Sequence, residues 1–495
     1  MACKKRLLSC ALSLLLALCF SLIFYTFNTP LGPSIGSDNA IYLTMGTAVA
    51  QGYAPYTEIF DHKGPLLFAL QAIPQALAGG YSTLAVFAME VIFLFACLRV
   101  LCAICRMLRA PCVPVQLAYL ALTCTLVGCG NLTEEYTNLF TLLGMLLALR
   151  AFGGSPVRGR ALTAYAAGMG AMTMLAFLLR ANKALPLCAM TRALAAALAL
   201  GRDWPSLGRC ALGFALGLAA AALPVAAWLA ARGALSEAVY GAIIHNMLSA
   251  ETGGGSRLAM LLHSGYGRMA LLLAALTCAG AAALRSGRRL LTPALVAAAA
   301  AAGLAAFISH KFYDHYLMLG VPAAALGVGA LLGRLSRAER PGLRRALRPA
   351  ALAVMLACAL WMGMSGVKAN RQRLSERADW DTFAADAQAL YASVPEEDRD
   401  SFMAYRVEPR WYVASEALPC MRFYFLQEIL AQADPAVMDE IVETFEADPP
   451  RWLVIYYNRA FSPPYDERVA DIFARDYEFV DAQGEYQLLR LKETP

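Results

Sequence analysis

The stretch FDHKGPLL, Phe60 to Leu67, sets an acid, an imidazole and an ammonium side by side ahead of a Gly-Pro break. Asp61 can take or hold a proton, and Lys63 can hold a phosphate as a point charge. His62 lies between them. Upstream, SDNAIYLTMGTAVAQG has helical period, with Asp38 at its start and Tyr42 one turn on. A carboxylate there suits a helix N-terminus, and an N-cap is the plain alternative to a catalytic one. For Lys63 the plain alternative is snorkelling beside a membrane span. QGYAPY, ending at Tyr56, is a turn-rich bridge between the two elements.

Further polar groups gather elsewhere. Arg180 and Lys183 close an apolar run. Arg257 and Arg268 frame a loop containing GGGS, and Asn246 lies in YGAIIHNML. His310, Lys311, Asp314, His315 and Tyr316 crowd the entrance of a late apolar run, where His315 and Tyr316 also suit an interfacial belt. HKFYDH has no matched third ligand, so the spacing rules disfavour zinc and no metal ligand is assigned.

These groups are carried by a membrane chain. Of 495 residues 59% are hydrophobic and 16% charged, more apolar surface than a water-soluble fold of this length can hide. Apolar runs near the length of a bilayer span fall at about 7–26, 82–105, 112–129, 138–152, 161–180, 184–200, 208–231, 269–284, 290–308, 316–333 and 349–366, or about eleven helices. The runs at 138–152 and 184–200 are short. The first follows MACKKR, has no small-residue cleavage site after it, and reads as a retained span. With the N-terminus inside, the inner loops carry Lys4, Lys5, Arg6, Arg106, Arg109, Arg158, Arg160, Arg202, Arg209, Arg285, Arg288, Arg289 and the arginines from Arg334 to Arg348. That is the positive-inside pattern. It puts the loop at about 27–81 and the C-terminus outside. The expected fold is a polytopic α-helical membrane protein with a transmembrane domain at 1–366 and a small extracytoplasmic α/β domain at 367–495. In that tail WLVIYY (452–457) and YQLLRLK (486–492) read as strands, and 436–447 and 466–476 as helices. Glu90 and Arg192 fall inside spans, where charge is costly and often functional. Nearly all of the fourteen cysteines, Cys102 included, sit in apolar runs and read as small buried hydrophobes.

An acid soon after the first span, a Tyr shortly beyond it, then G-x-x-P-Y and D-x-K-x-P-L in order resemble the integral-membrane glycosyltransferases of the C superfamily. The pattern is most similar to the dolichyl-phosphate-mannose-mannosyltransferase-like and aminoarabinose transferase-like group. It covers mainly residues 35–80, with YGAIIHNML and HKFYDHYLMLGVP as later matches. The resemblance implies that Asp38, the acid of the first loop, is the catalytic base or key polar residue, with Asp61 as a second catalytic-site acid that helps to shape the site. It implies that Lys63 contacts a donor phosphate. Arg180, Lys183 and Arg268 join it as candidate phosphate ligands. Tyr42, Tyr56, His62, Asn246, His310, Lys311, His315 and Tyr316 are candidates for substrate contact. The family often has Asp-Glu where this chain has Asp38-Asn39, and more often Pro-Pro where it has Gly64-Pro65. No cofactor is implied firmly, although a divalent cation is compatible.

The activity so implied is transfer of a sugar from a polyprenyl-phosphate donor to a lipid, glycan or protein acceptor at the outer face of a bacterial plasma membrane, with inversion. A transporter or flippase is the alternative. It predicts charges deep in several spans and broken helices in matched halves, neither of which stands out. The modest charge of +6 forms no nucleic-acid patch.

Overall fold

A computed structural model describes residues 2–27, 29–31, 36–154, 157–249, 265–284, 290–308, 313–456 and 466–493. Among them, eight helices are long and apolar enough to cross a membrane: Arg6–Phe24, Thr83–Leu108, Gly159–Leu179, Ala181–Leu200, Trp204–Ala231, Gly265–Leu284, Asp314–Ser336 and one within Pro341–Ala392. The apolar runs at 112–129 and 290–308 become the shorter helices Cys112–Thr123 and Leu291–Phe307. The run at 138–152 lies in a helix Thr133–Phe152 whose first turn carries Glu134 and Glu135. All eleven expected runs thus lie in helices, and eight of these meet the length and composition of a span. The last apolar run does not stop near 366, because the helix Leu347–Ala392 takes in the first charged residues of the tail.

The chain divides into two compact units. One comprises Met1–Thr26, Phe87–Val225 and Gly253–Arg371, and holds most of the apolar helices. Its core is built from leucines, alanines and small residues, among them Leu98, Leu101, Leu142, Val321 and Ala324. Cys102 is not a lone hydrophobe there: it is disulfide-bonded to Cys112, with Cα atoms 5.4 Å apart. Glu90 is buried and accepts the backbone N–H of Asn131, a residue in the left-handed region at φ +54°. Its charge inside a span thus serves a turn that would otherwise leave a donor unpaired.

The other unit comprises Phe27–Val86, Ala226–Thr252 and Gln372–Pro495. Its sheet has four strands, β1 (Phe402–Tyr405), β2 (Trp452–Tyr456), β3 (Tyr477–Gln483) and β4 (Tyr486–Leu491), in the order β1-β2-β4-β3. β1 runs parallel to β2, and the other pairs are antiparallel. β2 is buried over most of its length, matching its unbroken apolar run. β1 and β3 are strands that the sequence pattern did not single out. Helices Ala436–Ala447 and Glu467–Asp476 agree with the expected ones to within a residue.

The first loop belongs to this unit as two paired helices. Ser37–Ala50 packs on Pro65–Ala78, and Gly46 makes the close approach possible. A Cβ there would lie 2.7 Å from the backbone carbon of Gln71. Pro65 opens the second helix at a position where its missing N–H costs nothing, with Gly64 as N-cap.

Candidate active site

Between those two helices the chain makes a tight turn centred on Tyr56. This residue sits at φ +70°, a left-handed conformation that costs a non-glycine residue about 1–3 kcal/mol. Its side chain supplies the compensation. The hydroxyl donates to the carbonyl of Lys63 at 2.7 Å, and the backbone N–H donates to Ile59 at 2.7 Å. Asn246 clamps the same segment, its amide donating to the carbonyl of His62 at 2.6 Å. Two residues expected to touch substrate, Tyr56 and Asn246, are thus engaged in holding the backbone of residues 62 and 63.

That backbone presents a charge cluster. Asp61 is fully buried, and one of its oxygens, Oδ1, lies beside three nitrogens. It accepts the N–H of His62 at 2.7 Å, lies 3.0 Å from His62 Nδ1 and 3.4 Å from Lys63 Nζ. The other oxygen, Oδ2, has no hydrogen-bond partner among the described residues. Burial raises the Asp61 pKa, but the charges of Lys63 and His62 and the hydrogen bonds from His62 outweigh it. The net result holds the carboxyl well below its ordinary range. A sealed, firmly ionised carboxylate is a poor proton acceptor and a good anchor for cations. Lys63 is itself buried, with Nζ 5.5 Å above the Tyr42 ring, so snorkelling into solvent does not describe it. His62 is the member that reaches out, with 23% of its side chain exposed.

Asp38 is the contrasting acid. It is exposed in the first turn of Ser37–Ala50, where Gly36, not Asp38, is the N-cap. The helix dipole favours its charge there, and no hydrogen bond ties it down among the described residues.

Residues distant in sequence complete the packing. The Phe60 N–H donates to the carbonyl of Arg422 at 2.9 Å, and the Arg422 guanidinium lies 5.4 Å from the Phe60 ring. Arg422 also pairs with Glu237 at 2.5 Å and Glu440 at 3.0 Å. The Tyr424 hydroxyl donates to the carbonyl of Ile41 at 3.3 Å, and the Tyr81 hydroxyl to that of Ala417 at 2.9 Å. Gly241, in a π-helical turn Tyr240–Ile244, packs where a Cβ would lie 2.8 Å from the Tyr56 ring. The tail is therefore a scaffold for the first loop. Arg422 and Tyr424 escaped the sequence reading because nothing local marks them.

The remaining candidates lie in the other unit. Lys183 is buried and ion-paired with Glu134, and its Nζ lies 4.7 Å from the centre of the Tyr316 ring. Arg180 is half-buried, 5.7 Å from the same ring. His315 stacks edge-on against Tyr316, and Arg268 is exposed. Lys183, expected to meet a phosphate, thus already carries a matched carboxylate, while Arg180 stands nearer the surface. His310, Lys311, Arg257 and the GGGS loop lie outside the described residues. Among the described residues no three His, Cys, Asp or Glu side chains converge as a metal site.

No protein-family model and no curated relative matches the sequence. The fold does match solved structures. ArnT from Cupriavidus metallidurans bound to undecaprenyl phosphate aligns with a TM-score of 0.60 at 15% identity, over 96% of this chain and 97% of that one. The apo form of the same protein aligns with a TM-score of 0.59 at 15% identity, over 99% and 98%. The archaeal oligosaccharyltransferase AglB from Archaeoglobus fulgidus, solved with an inhibitory peptide and a dolichol-phosphate, aligns with a TM-score of 0.51 at 13% identity, over 96% and 74%. The chain therefore shares the overall fold of these solved membrane proteins.

Proposed function

We propose that this protein is a polyprenyl-phosphate-sugar-dependent glycosyltransferase of the plasma membrane, acting with inversion at the outer face. The observation that carries the reading is the alignment, over nearly the whole chain, with a structure that holds undecaprenyl phosphate. The basic loops between apolar runs support the outward orientation of the first loop and of the tail. Donor and acceptor are a polyprenyl-phosphate sugar and a lipid, glycan or protein hydroxyl.

In this mechanism Asp38 takes the proton of the acceptor hydroxyl as its oxygen attacks the anomeric carbon. An exposed, untethered carboxylate at a helix N-terminus can reach an incoming acceptor. Lys63 holds the donor phosphate, which gains negative charge as the sugar departs and is stabilised by a fixed cation. Asp61 acts through others as a positioning residue, fixing the ammonium and the imidazole on one oxygen. Tyr42 borders the site beneath Lys63.

The test is transfer of radiolabelled sugar from a panel of polyprenyl-phosphate sugars into membrane lipid and glycan fractions. Wild type is expected to transfer. Asp38→Asn is expected to lose about 10²–10⁴ of the rate while keeping its melting temperature, as removal of a general base from an exposed position should. Full activity of Asp38→Asn would return that residue to a helix-terminus role.

A further inference from the structure

We infer that the groove beside Arg192 binds one anionic glycerophospholipid of the inner leaflet, its phosphate on the guanidinium and an acyl chain along the groove. The inference concerns the helical unit alone and does not depend on the sugar-transfer reading.

Two charges fall inside apolar runs, and they are treated differently. Glu90 accepts the N–H of Asn131. Arg192 lies on Ala181–Leu200, a helix long and apolar enough to span, and is exposed there. Among the described residues no hydrogen bond or ion pair engages its guanidinium. Cys188, one turn back, offers a thiol that accepts hydrogen bonds weakly. Arg192 precedes Arg202 by ten residues, or about 15 Å along a helix rising about 1.5 Å per residue. Half the hydrocarbon thickness is also about 15 Å. Trp204, exposed beside Arg202, suits the inner interface. Arg192 is therefore near mid-depth, farther from the inner surface than its stem alone can carry the charge back. Charge at that depth is costly unless a counter-ion meets it.

The surroundings fit a lipid phosphate and its chain. Arg192 lines a groove of about 180 Å³ together with Leu194, Leu198 and Phe214. Gly159–Leu179 forms its floor through Ala166, and Leu185–Leu200 and Trp204–Ala231 form its walls. Gly170, Gly213 and Gly217 seat the floor against one wall so closely that a Cβ would strike the opposite backbone. Thr191 also lines the groove, but its hydroxyl is spent on the Leu187 carbonyl at 2.9 Å. Apart from Arg192, then, the lining suits hydrocarbon.

More cation gathers toward the inner end of these helices. Arg158, Arg160, Arg202 and Arg209 are all exposed. The acid among them, Asp203, accepts the N–H of Ser206 at 3.2 Å as a helix cap and faces Arg158 and Arg209. Basic pockets between spans on the cytoplasmic side select anionic head groups. Here the outer ring of arginines draws the lipid, and Arg192 below holds its phosphate through paired N–H donors. Local thinning of the leaflet brings phosphate and guanidinium together. A zwitterionic lipid presents the same phosphate beside a cation that these arginines repel. The proposed sugar donor is used at the opposite face, so the occupant argued for is a phospholipid.

The experiment is native mass spectrometry of the full chain, released from neutral detergent after titration with phosphatidylglycerol, phosphatidylcholine or undecaprenyl phosphate. Wild type is expected to hold one phosphatidylglycerol about tenfold tighter than phosphatidylcholine. Arg192→Leu leaves an apolar helix without the charge and should lose that preference. Arg192→Lys should keep part of it, because a point charge replaces the paired donors. Ala211→Trp fills the groove from its exposed wall, keeps Arg192, and should lose the tight molecule. Arg344→Leu removes an inner arginine that does not line the groove and should change nothing. Melting temperatures measured alongside identify folded variants, and if Arg192→Leu does not fold, Arg192→Lys and Ala211→Trp decide. Tight phosphatidylglycerol binding that survives in the folded Arg192 and Ala211 variants overturns the inference. So does equal affinity for the two phospholipids, or a preference for undecaprenyl phosphate that Arg192→Leu abolishes.

Discussion

Among the described residues two lysines are buried against carboxylates, and they are built differently. Lys183 meets Glu134 across 49 residues of sequence, in direct contact, with both side chains 1% exposed. Glu134 is further held by the Thr133 hydroxyl at 2.8 Å. Lys63 meets Asp61 two residues away at the longer distance of 3.4 Å, and the same oxygen also serves His62. The first pair is closed and saturated. The second keeps one carboxylate oxygen unpartnered among the described residues and has an imidazole leading to the surface. A cation that is fully matched holds helices together, whereas one held loosely beside an imidazole can still receive an anion.

The largest expected effect separates the pairs by what each loses. Lys183→Ala leaves Glu134 buried without its counter-charge and should cost about 3–5 kcal/mol of stability. Lys183→Met combined with Glu134→Leu removes both charges and should recover most of that loss. Lys63→Ala should lower transfer by about 10²–10³, as loss of a fixed charge-stabilising donor does, and should cost less stability than Lys183→Ala because Asp61 keeps the N–H of His62. Thermal unfolding in detergent, read beside the transfer assay, checks all three. Equal destabilisation by Lys63→Ala and Lys183→Ala would erase the distinction.

A smaller effect sharpens it through pH. The Asp61 pKa is depressed in the folded protein, so its contribution to stability is complete above the ordinary carboxylate value and is lost as pH falls below it toward the folded value. The unfolded reference is 3.8. Melting temperatures of wild type and Asp61→Asn, taken from pH 6 downward, should therefore run parallel until about pH 4 and then converge. Curves that stay parallel to the acid end would mean that Lys63 and His62 do not hold the carboxylate ionised.

How much of this was legible in the sequence depends on how local each feature is. The Asp61-His62-Lys63 triplet, the helix opened by Pro65 and the helix that follows Asp38 are written in adjacent residues, and the structure has these helices at Ser37–Ala50 and Pro65–Ala78. Helix Ala436–Ala447 was equally plain from its period. β1 and β3 were not: Phe402–Tyr405 is only four residues, and Tyr477–Gln483 carries a bulge between Phe479 and Asp481 that breaks alternation. The burial of Lys63 was also hidden, since a lysine beside a span reads the same whether it points to water or to Tyr42. Least legible was the role of the tail. Arg422 touches Phe60 and Glu237 across separations of 362 and 185 residues, and no pattern of period or spacing announces such a contact.

The tail's hold on the first loop gives the smallest expected effect. Tyr424→Phe removes one hydrogen bond of 3.3 Å to the Ile41 carbonyl and nothing else, because the ring stays packed 5.4 Å from Tyr412 and 4.6 Å from Phe425. Ile41 lies inside a helix, where its carbonyl keeps an intrahelical partner, so the cost should be at the low end for a neutral hydrogen bond, about 0.5–1 kcal/mol. Ser37–Ala50 is also fixed by the close contact of Gly46 on Gln71, so the turn that carries Asp38 should not move. Transfer should then stay within about twofold of wild type, a change of about 0.4 kcal/mol in the barrier. A melting temperature unchanged while transfer drops tenfold would point the other way. The Tyr424 hydroxyl would then act on the placement of Asp38 three residues upstream, and the tail would be part of how the base is aimed, not only of how the loop is held.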